Sequence, residues 1–162
     1  MKKLVVAIFT VLLLCNSWMY AQEDTVITLP EITVTGSAKV SNDLNKAFKK
    51  AFPDAEELRW YKQNKDYLAK FIKDDVNHNS LFKKNGFLKY DISFGYEKNL
   101  PGDVLKMVRD AYQDFNITRA VNVKSAGRDI WVVNLEGMRN YVIVRVEDEQ
   151  LEEVRRMDKS SK

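Results

Sequence analysis

FPDAEELRWY, residues 52–61, decides the fold. Before it, Leu44, Ala47, Phe48, Ala51 and Phe52 recur at intervals of three and four, the spacing of one apolar helix face. Ser41 or Asn42 supplies an N-cap, and Asp43 favours the first turn. Pro53 lacks a backbone N–H and disfavours helical geometry at Phe52, so the helix stops there. DAEE turns the chain back, and the period falls to two: Leu58 and Trp60 alternate with Arg59 and Tyr61. Trp60 is then expected beneath the helix as the first core residue of a sheet, its burial worth roughly 1.5–3 kcal/mol.

Outward from this stretch the alternation continues. A turn at Gln63-Asn64-Lys65-Asp66 leads to Tyr67, Ala69 and Phe71, alternating with Leu68 and Lys70. DDVNHN reads as a polar loop, followed by a short strand around Leu81 and Phe82 and a turn at Asn85-Gly86. In FLKYDISF, Leu88, Tyr90, Ile92 and Phe94 fall on one face. Pro101, Gly102 and Asp103 then open a second helix, with Val104, Met107, Val108, Ala111, Tyr112 and Phe115 as its stripe. Strand patterns follow at Val121 and Val123, at WVVNL, at YVIVRV and at QLEEV.

The order is thus helix and strands, twice. A shift of 64 positions sets Tyr67, Ala69 and Phe71 on Trp131, Val133 and Leu135, Phe82 on Val146, and Asn85-Gly86 on Glu149-Gln150. This reads as two copies of one unit, residues 41–97 and 98–158, each needing the other to cover its apolar surface.

The segment 1–21 is set apart. Lys2 and Lys3, an apolar run from Leu4 to Leu14 and Ala21 before Gln22 describe a secretory signal peptide. The run is short for a membrane anchor, which needs about 20 residues. Leu12-Leu13-Leu14-Cys15 offers lipidation as the minority alternative, disfavoured by Leu14 where a small residue is usual. Cleavage after Ala21 leaves no cysteine, hence no disulfide in an oxidising compartment. It also leaves 24 of the 26 basic residues against 23 acidic ones, a formal +1. That balance gives no reason to expect nucleic acid or an anionic membrane as partner. Residues 22–40 form a lead-in strand or arm, with Ile32 and Val34 alternating against Thr33 and Thr35.

The motifs F-P-x-A-x-x-L-x-W (Phe52 to Trp60), Y-x-A-x-F (Tyr67 to Phe71), Asn85-Gly86 and L-P-x-x-V (Leu100 to Val104), with Tyr112 ending the helix, resemble the β-lactamase-inhibitor-like, PepSY-like family of exported bacterial proteins. The resemblance runs from about Leu44 to Met157. It implies an α+β fold of two tandem units, each a helix packed on a four-stranded antiparallel sheet, within a domain of residues 41–162. It also implies export, membership of a group that generally lacks an assigned activity, and fold relatives that inhibit enzymes by binding them. Glu149-Gln150 departs from the family pattern, where a glycine is usual.

Catalytic constellations are missing from the sequence. His78 is the single histidine and no mature cysteine remains as a nucleophile. There is no phosphate-cradling glycine loop and no H-E-x-x-H. Glu56-Glu57 and Glu152-Glu153 are neighbours whose side chains point to opposite faces of a strand. Asp75, Asn77 and Asn79 match the first, third and fifth positions of an EF-hand loop, but Ser80 and Gly86 stand where a glycine and a bidentate glutamate belong. Lys46, Lys49, Lys50 and Lys83-Lys84 are balanced by nearby acids and read as solvated faces. No cofactor is expected.

Alternation also defines a second sheet face. If Trp60, Tyr67, Ala69, Phe71, Trp131, Val133 and Leu135 meet the helices, the other side carries Arg59, Tyr61, Leu68, Lys70 and Ile72, then Val132, Asn134, Tyr141, Ile143 and Arg145. Tyrosine and arginine are enriched anchors of protein interfaces. Arg59, Tyr61, Lys70, Tyr141 and Arg145 are therefore the candidate binding residues. The expected role is an exported, non-enzymatic module that binds an unidentified envelope protein. The alternative is a periplasmic carrier of a small apolar ligand held between sheet and helices.

Overall fold

A computed structural model describes residues 34–160. The expected signal peptide, Cys15 and most of the lead-in lie outside the described residues. Among the described residues nine strands form one antiparallel sheet in chain order. They are β1 Val34–Ser37, β2 Glu56–Gln63, β3 Asp66–Lys73, β4 Val76–Phe82, β5 Leu88–Gly95, β6 Asn116–Ser125, β7 Arg128–Glu136, β8 Asn140–Glu147 and β9 Gln150–Asp158. Helix α1 (Asn42–Ala51) joins β1 to β2. A 3-10 turn, Glu97–Asn99, and helix α2 (Gly102–Ala111) join β5 to β6.

The expected pair of separate helix-on-four-strand units is overturned. β5 and β6 pair without a break from Tyr90↔Ser125 to Gly95↔Ala120, which makes the sheet continuous. Two separate sheets would leave rows of backbone N–H and C=O groups at that junction unpaired; joining them satisfies both edges. Strand periodicity reveals which residues extend but not which edges meet. The lead-in adds one more strand, β1, paired with β2.

The local signals act as their chemistry requires. The Leu44 N–H donates to Ser41 Oγ at 3.2 Å, capping α1. The Phe52 N–H reaches the Phe48 carbonyl at 2.8 Å as the last helical bond before Pro53. Phe48, 2% exposed, sits among Phe71, Trp60 and Phe82 with ring centroids 4.9, 5.6 and 6.1 Å away. The Trp60 indole N–H donates to Asn45 Oδ1 at 3.1 Å, so its polar edge is satisfied within the core. A second cluster gathers Val104 and Val108 of α2 with Ala120, Val133, Leu135, Val142, Val144 and Val146. The row Phe71, His78, Ser93, Asn122, Trp131, Val146 runs cross-strand through both clusters. Cross-strand partners share a face, so both helices lie on the same side of the sheet.

Two local expectations are corrected. DDVNHN is not a loop: only Asp74 and Asp75 form the turn, and His78 lies within β4. Asn77 and Asn79 are strand residues as well, so the EF-hand spacing describes no loop. Leu88 does not share a face with Tyr90, Ile92 and Phe94. Leu81 pairs with Tyr90 but Phe82 pairs with Leu88, so Lys89 is an inserted bulge residue. Leu88 packs into the α1 cluster, while the other three face away from the helices.

The β8–β9 turn carries a cost. Asp148 and Glu149 hold φ of 49° and 59°, a primed hairpin geometry that favours glycine in second place. Glu149→Gly should raise stability by about 0.5–1 kcal/mol, or about 2–4 °C in Tm for a chain of this size. An unchanged or lower melting temperature would refute the strain.

Candidate functional site

The helix-free face is built from cross-strand rows. One row is Tyr61, Leu68, Leu81, Tyr90; the next is Arg59, Lys70, Asn79, Ile92, Val123, Ile130. A third is Ile72, Asn77, Phe94, Val121, Val132, Arg145, Glu152. All five candidate residues stand on this face, but not as one patch. Arg59, Tyr61 and Lys70 line a shallow groove of about 210 Å³ with Ile72, Asn77 and Asn79. Lys70 Nζ lies 5.2 Å from the centre of the Tyr61 ring. Arg145 engages Glu152 at 2.7 Å on the neighbouring strand. Tyr141 is 42% exposed, with Lys159 Nζ 4.8 Å from its ring centre. Strands turn by roughly 20–25° per step, so the six steps from β2 to β8 set the two groups at very different angles.

Between them lies a surface that the residue-type argument missed. On β5, β6 and β7 the helix-free side carries Tyr90, Ile92, Phe94, Val121, Val123, Ile130 and Val132, all half-buried. On β5 and β6 the helix side carries Asp91, Ser93, Asn122 and Lys124 instead. The usual polarity of a one-sided sheet is inverted at its middle. Leu68 and Leu81, also on the helix-free side, are only 7% and 6% exposed. Tyr61 and Tyr90 flank that leucine pair in the row, and tall rings beside shorter side chains leave a recess.

The polar strip on the helix side joins the three residue types of a hydrolytic triad, but not in its order. Ser80 Oγ donates to Asp91 Oδ1 at 2.6 Å, and His78 Nδ1 lies 3.0 Å from Asp91 Oδ2. Serine and histidine thus both spend their bonds on the carboxylate, whereas a triad needs the histidine between them. Ser80 is fully buried, and the His78 ring stacks on Phe71 at 5.0 Å. The arrangement fastens β4 to β5. Among the described residues no three His, Cys, Asp or Glu side chains converge as a metal site. No helix among them is long and apolar enough to cross a membrane.

α2 is clipped to the edge strand by its own polar group. Tyr112 Oη donates to Glu153 Oε2 at 2.9 Å, and Arg156 grips the same carboxylate at 2.6 Å. The Arg156 guanidinium and the Tyr112 hydroxyl hold the Glu153 carboxyl below the usual glutamate range. A depressed folded-state pKa adds stability above the unfolded value that is lost as pH falls through the folded one. Glu153→Gln should therefore flatten the decline of the urea midpoint below about pH 4. A variant whose acid limb matched the parent would exclude this contribution.

The comparisons define the fold class. No protein-family model matches the chain, and no curated protein matches it either. Among solved structures, a BLIP-like protein from Bacteroides fragilis superposes with a TM-score of 0.59 at 20% identity, covering 76% of this chain and 89% of that one. A candidate periplasmic protein from Bacteroides eggerthii gives 0.56 at 14% identity over 75% and 90%. A DUF2874 family protein from Bacteroides uniformis gives 0.55 at 15% over 74% and 90%. At these identities the likeness is one of fold: the chain has the BLIP-like architecture, in agreement with the sequence motifs.

Proposed function

We propose that the chain is an exported, non-enzymatic module that captures another cell-envelope protein through the helix-free face of its sheet, as an inhibitor or a sensor. The inverted polarity of the central strands carries this reading. Seven apolar side chains on three adjacent strands face away from the helices, while the covered side of β5 and β6 carries the polar run Asp91, Ser93, Asn122 and Lys124 at its middle. An apolar field of that kind, ringed by charge, marks an interaction surface. The leader sequence and the periplasmic description of one fold neighbour support export. A carrier of small apolar ligands is less well supported, because Phe48 and its aromatic neighbours fill the space between α1 and the sheet.

The double variant Tyr61→Asp, Tyr141→Asp places one new charge at each end of the face. It should melt within a few degrees of the parent and yet capture its envelope partner at least about ten-fold more weakly, as buried interface charges require. Undiminished capture by a folded double variant would exclude this face.

A further inference from the structure

The two ends of the helix-free face differ in charge. The β2 end holds Arg59 and Lys70 but also Glu56 and Glu57. At the β6–β9 end, Arg119, Arg145 and Arg155 surround Val121, Val132, Asn134 and Ile143. Arg119 pairs across to Asn134, Asn134 to Ile143 and Ile143 to Arg155, so these four form one row. Three strand steps separate the outer arginines, about 14 Å. Arg145 stands one step along β8 from Ile143, on the same face.

Three of the nearby carboxylates are already engaged, and Asp75, which lines a pocket together with Arg119, lies beyond ion-pair range of it. Glu152 meets Arg145, Glu147 meets Arg128 at 2.6 Å, and Glu136 meets Lys159 at 2.6 Å. Among the described residues no carboxylate lies in ion-pair range of Arg119 or Arg155. All three arginines are exposed, while Val121, Val132 and Ile143 between them are half-buried. The corner is therefore a recessed apolar floor with guanidinium groups standing above it.

We infer that this corner receives an acidic protein segment, its carboxylates on Arg119, Arg145 and Arg155 and an apolar side chain on the floor between them. The inference rests on the reading of the helix-free face as a binding surface and specifies the chemistry of what binds there. Arginine suits the role, since its planar fork takes a carboxylate through two parallel hydrogen bonds. A lipid surface fits less well, because membrane contact needs apolar groups to project beyond the charges, and here they lie below them. A second copy of the same face would bring guanidinium groups toward a field that already carries unpaired cations.

The test is selection from a displayed random-peptide library on the full exported protein. Selected peptides should combine Asp or Glu with an aromatic or branched apolar residue. Their affinity should fall with added salt, and by at least about ten-fold in the triple variant Arg119→Glu, Arg145→Glu, Arg155→Glu. The control Lys46→Glu, Lys49→Glu, on the exposed side of α1, should bind them as the parent does. Because all substituted residues are exposed, thermal melts should stay within a few degrees of the parent, the triple variant losing only the exposed Arg145–Glu152 pair. Three outcomes overturn the assignment. Peptides that the triple variant retains but a folded Val132→Glu variant loses would remove the acidic corner and leave the wider face standing. Peptides indifferent to both variants would remove both readings. Arginine-dependent adsorption to phosphatidylglycerol vesicles, or arginine-dependent self-association in sedimentation, in place of peptide binding would assign the corner to lipid or to a second copy.

Discussion

Phe48→Ala should lower the stability of the fold by about 3–5 kcal/mol, the range for emptying a buried aromatic site. Phe48 is nearly inaccessible and meets four other aromatic rings, Phe52, Trp60, Phe71 and Phe82. Those rings are anchored on β2, β3 and β4 and at the C-cap of α1, so no single neighbour can move into the space without leaving its own element. The urea midpoint should fall by about 2 M at a slope typical of small domains. Phe48→Leu should recover more than half of the loss, because it restores most of the volume. A loss under about 1 kcal/mol for the alanine variant would mean that α1 is not seated as described.

Asp91→Ala is expected to cost about 2–4 kcal/mol although it removes no apolar contact. It takes away the acceptor of the Ser80 hydroxyl and of the His78 ring nitrogen, and Ser80 has no access to water. A buried donor left without a partner costs about 1–3 kcal/mol. The double variant Ser80→Ala, Asp91→Ala should therefore be less destabilised than the sum of the single changes, with a coupling of about 1 kcal/mol or more. Chemical denaturation of the four proteins of the cycle measures it. Strict additivity would show that the two groups act independently and would dissolve the network. Asp91→Asn should fall between, since its carbonyl oxygen can still accept from Ser80 while the charge is gone.

How far the sequence could be read follows from the range over which each signal acts. The bounds of α1, its Ser41 cap and the place of Trp60 beneath it were legible because capping, proline chemistry and periodicity act within a few residues. The same local signals put Arg59, Tyr61, Lys70, Tyr141 and Arg145 on one face, since each sits next to a core residue in its strand. Continuity of the sheet was not legible, because the β5–β6 ladder joins segments that lie on either side of a helix. Lys89 shows a second limit: one inserted residue reverses which face Tyr90, Ile92 and Phe94 occupy, and no residue type announces it. The β5 part of the apolar middle of the helix-free face depended on that reversal and was therefore missed, although Val132 was placed there. His78 was misplaced because its partner lies across a hairpin, and Asp74-Asp75 is an uncommon pair for a tight turn.

The chain-order arrangement of the strands also bears on how the molecule assembles in time. Six of the eight pairings join strands separated by only two to five residues, so they close small loops and can zip up early. The β1–β2 and β5–β6 ladders must wait for much longer segments, each containing a helix, to fold back. The central seam is thus a late event on the folding route. Until it closes, the backbone edges of β5 and β6 are open to pairing with another chain, which makes that interval the one in which aggregation competes with folding.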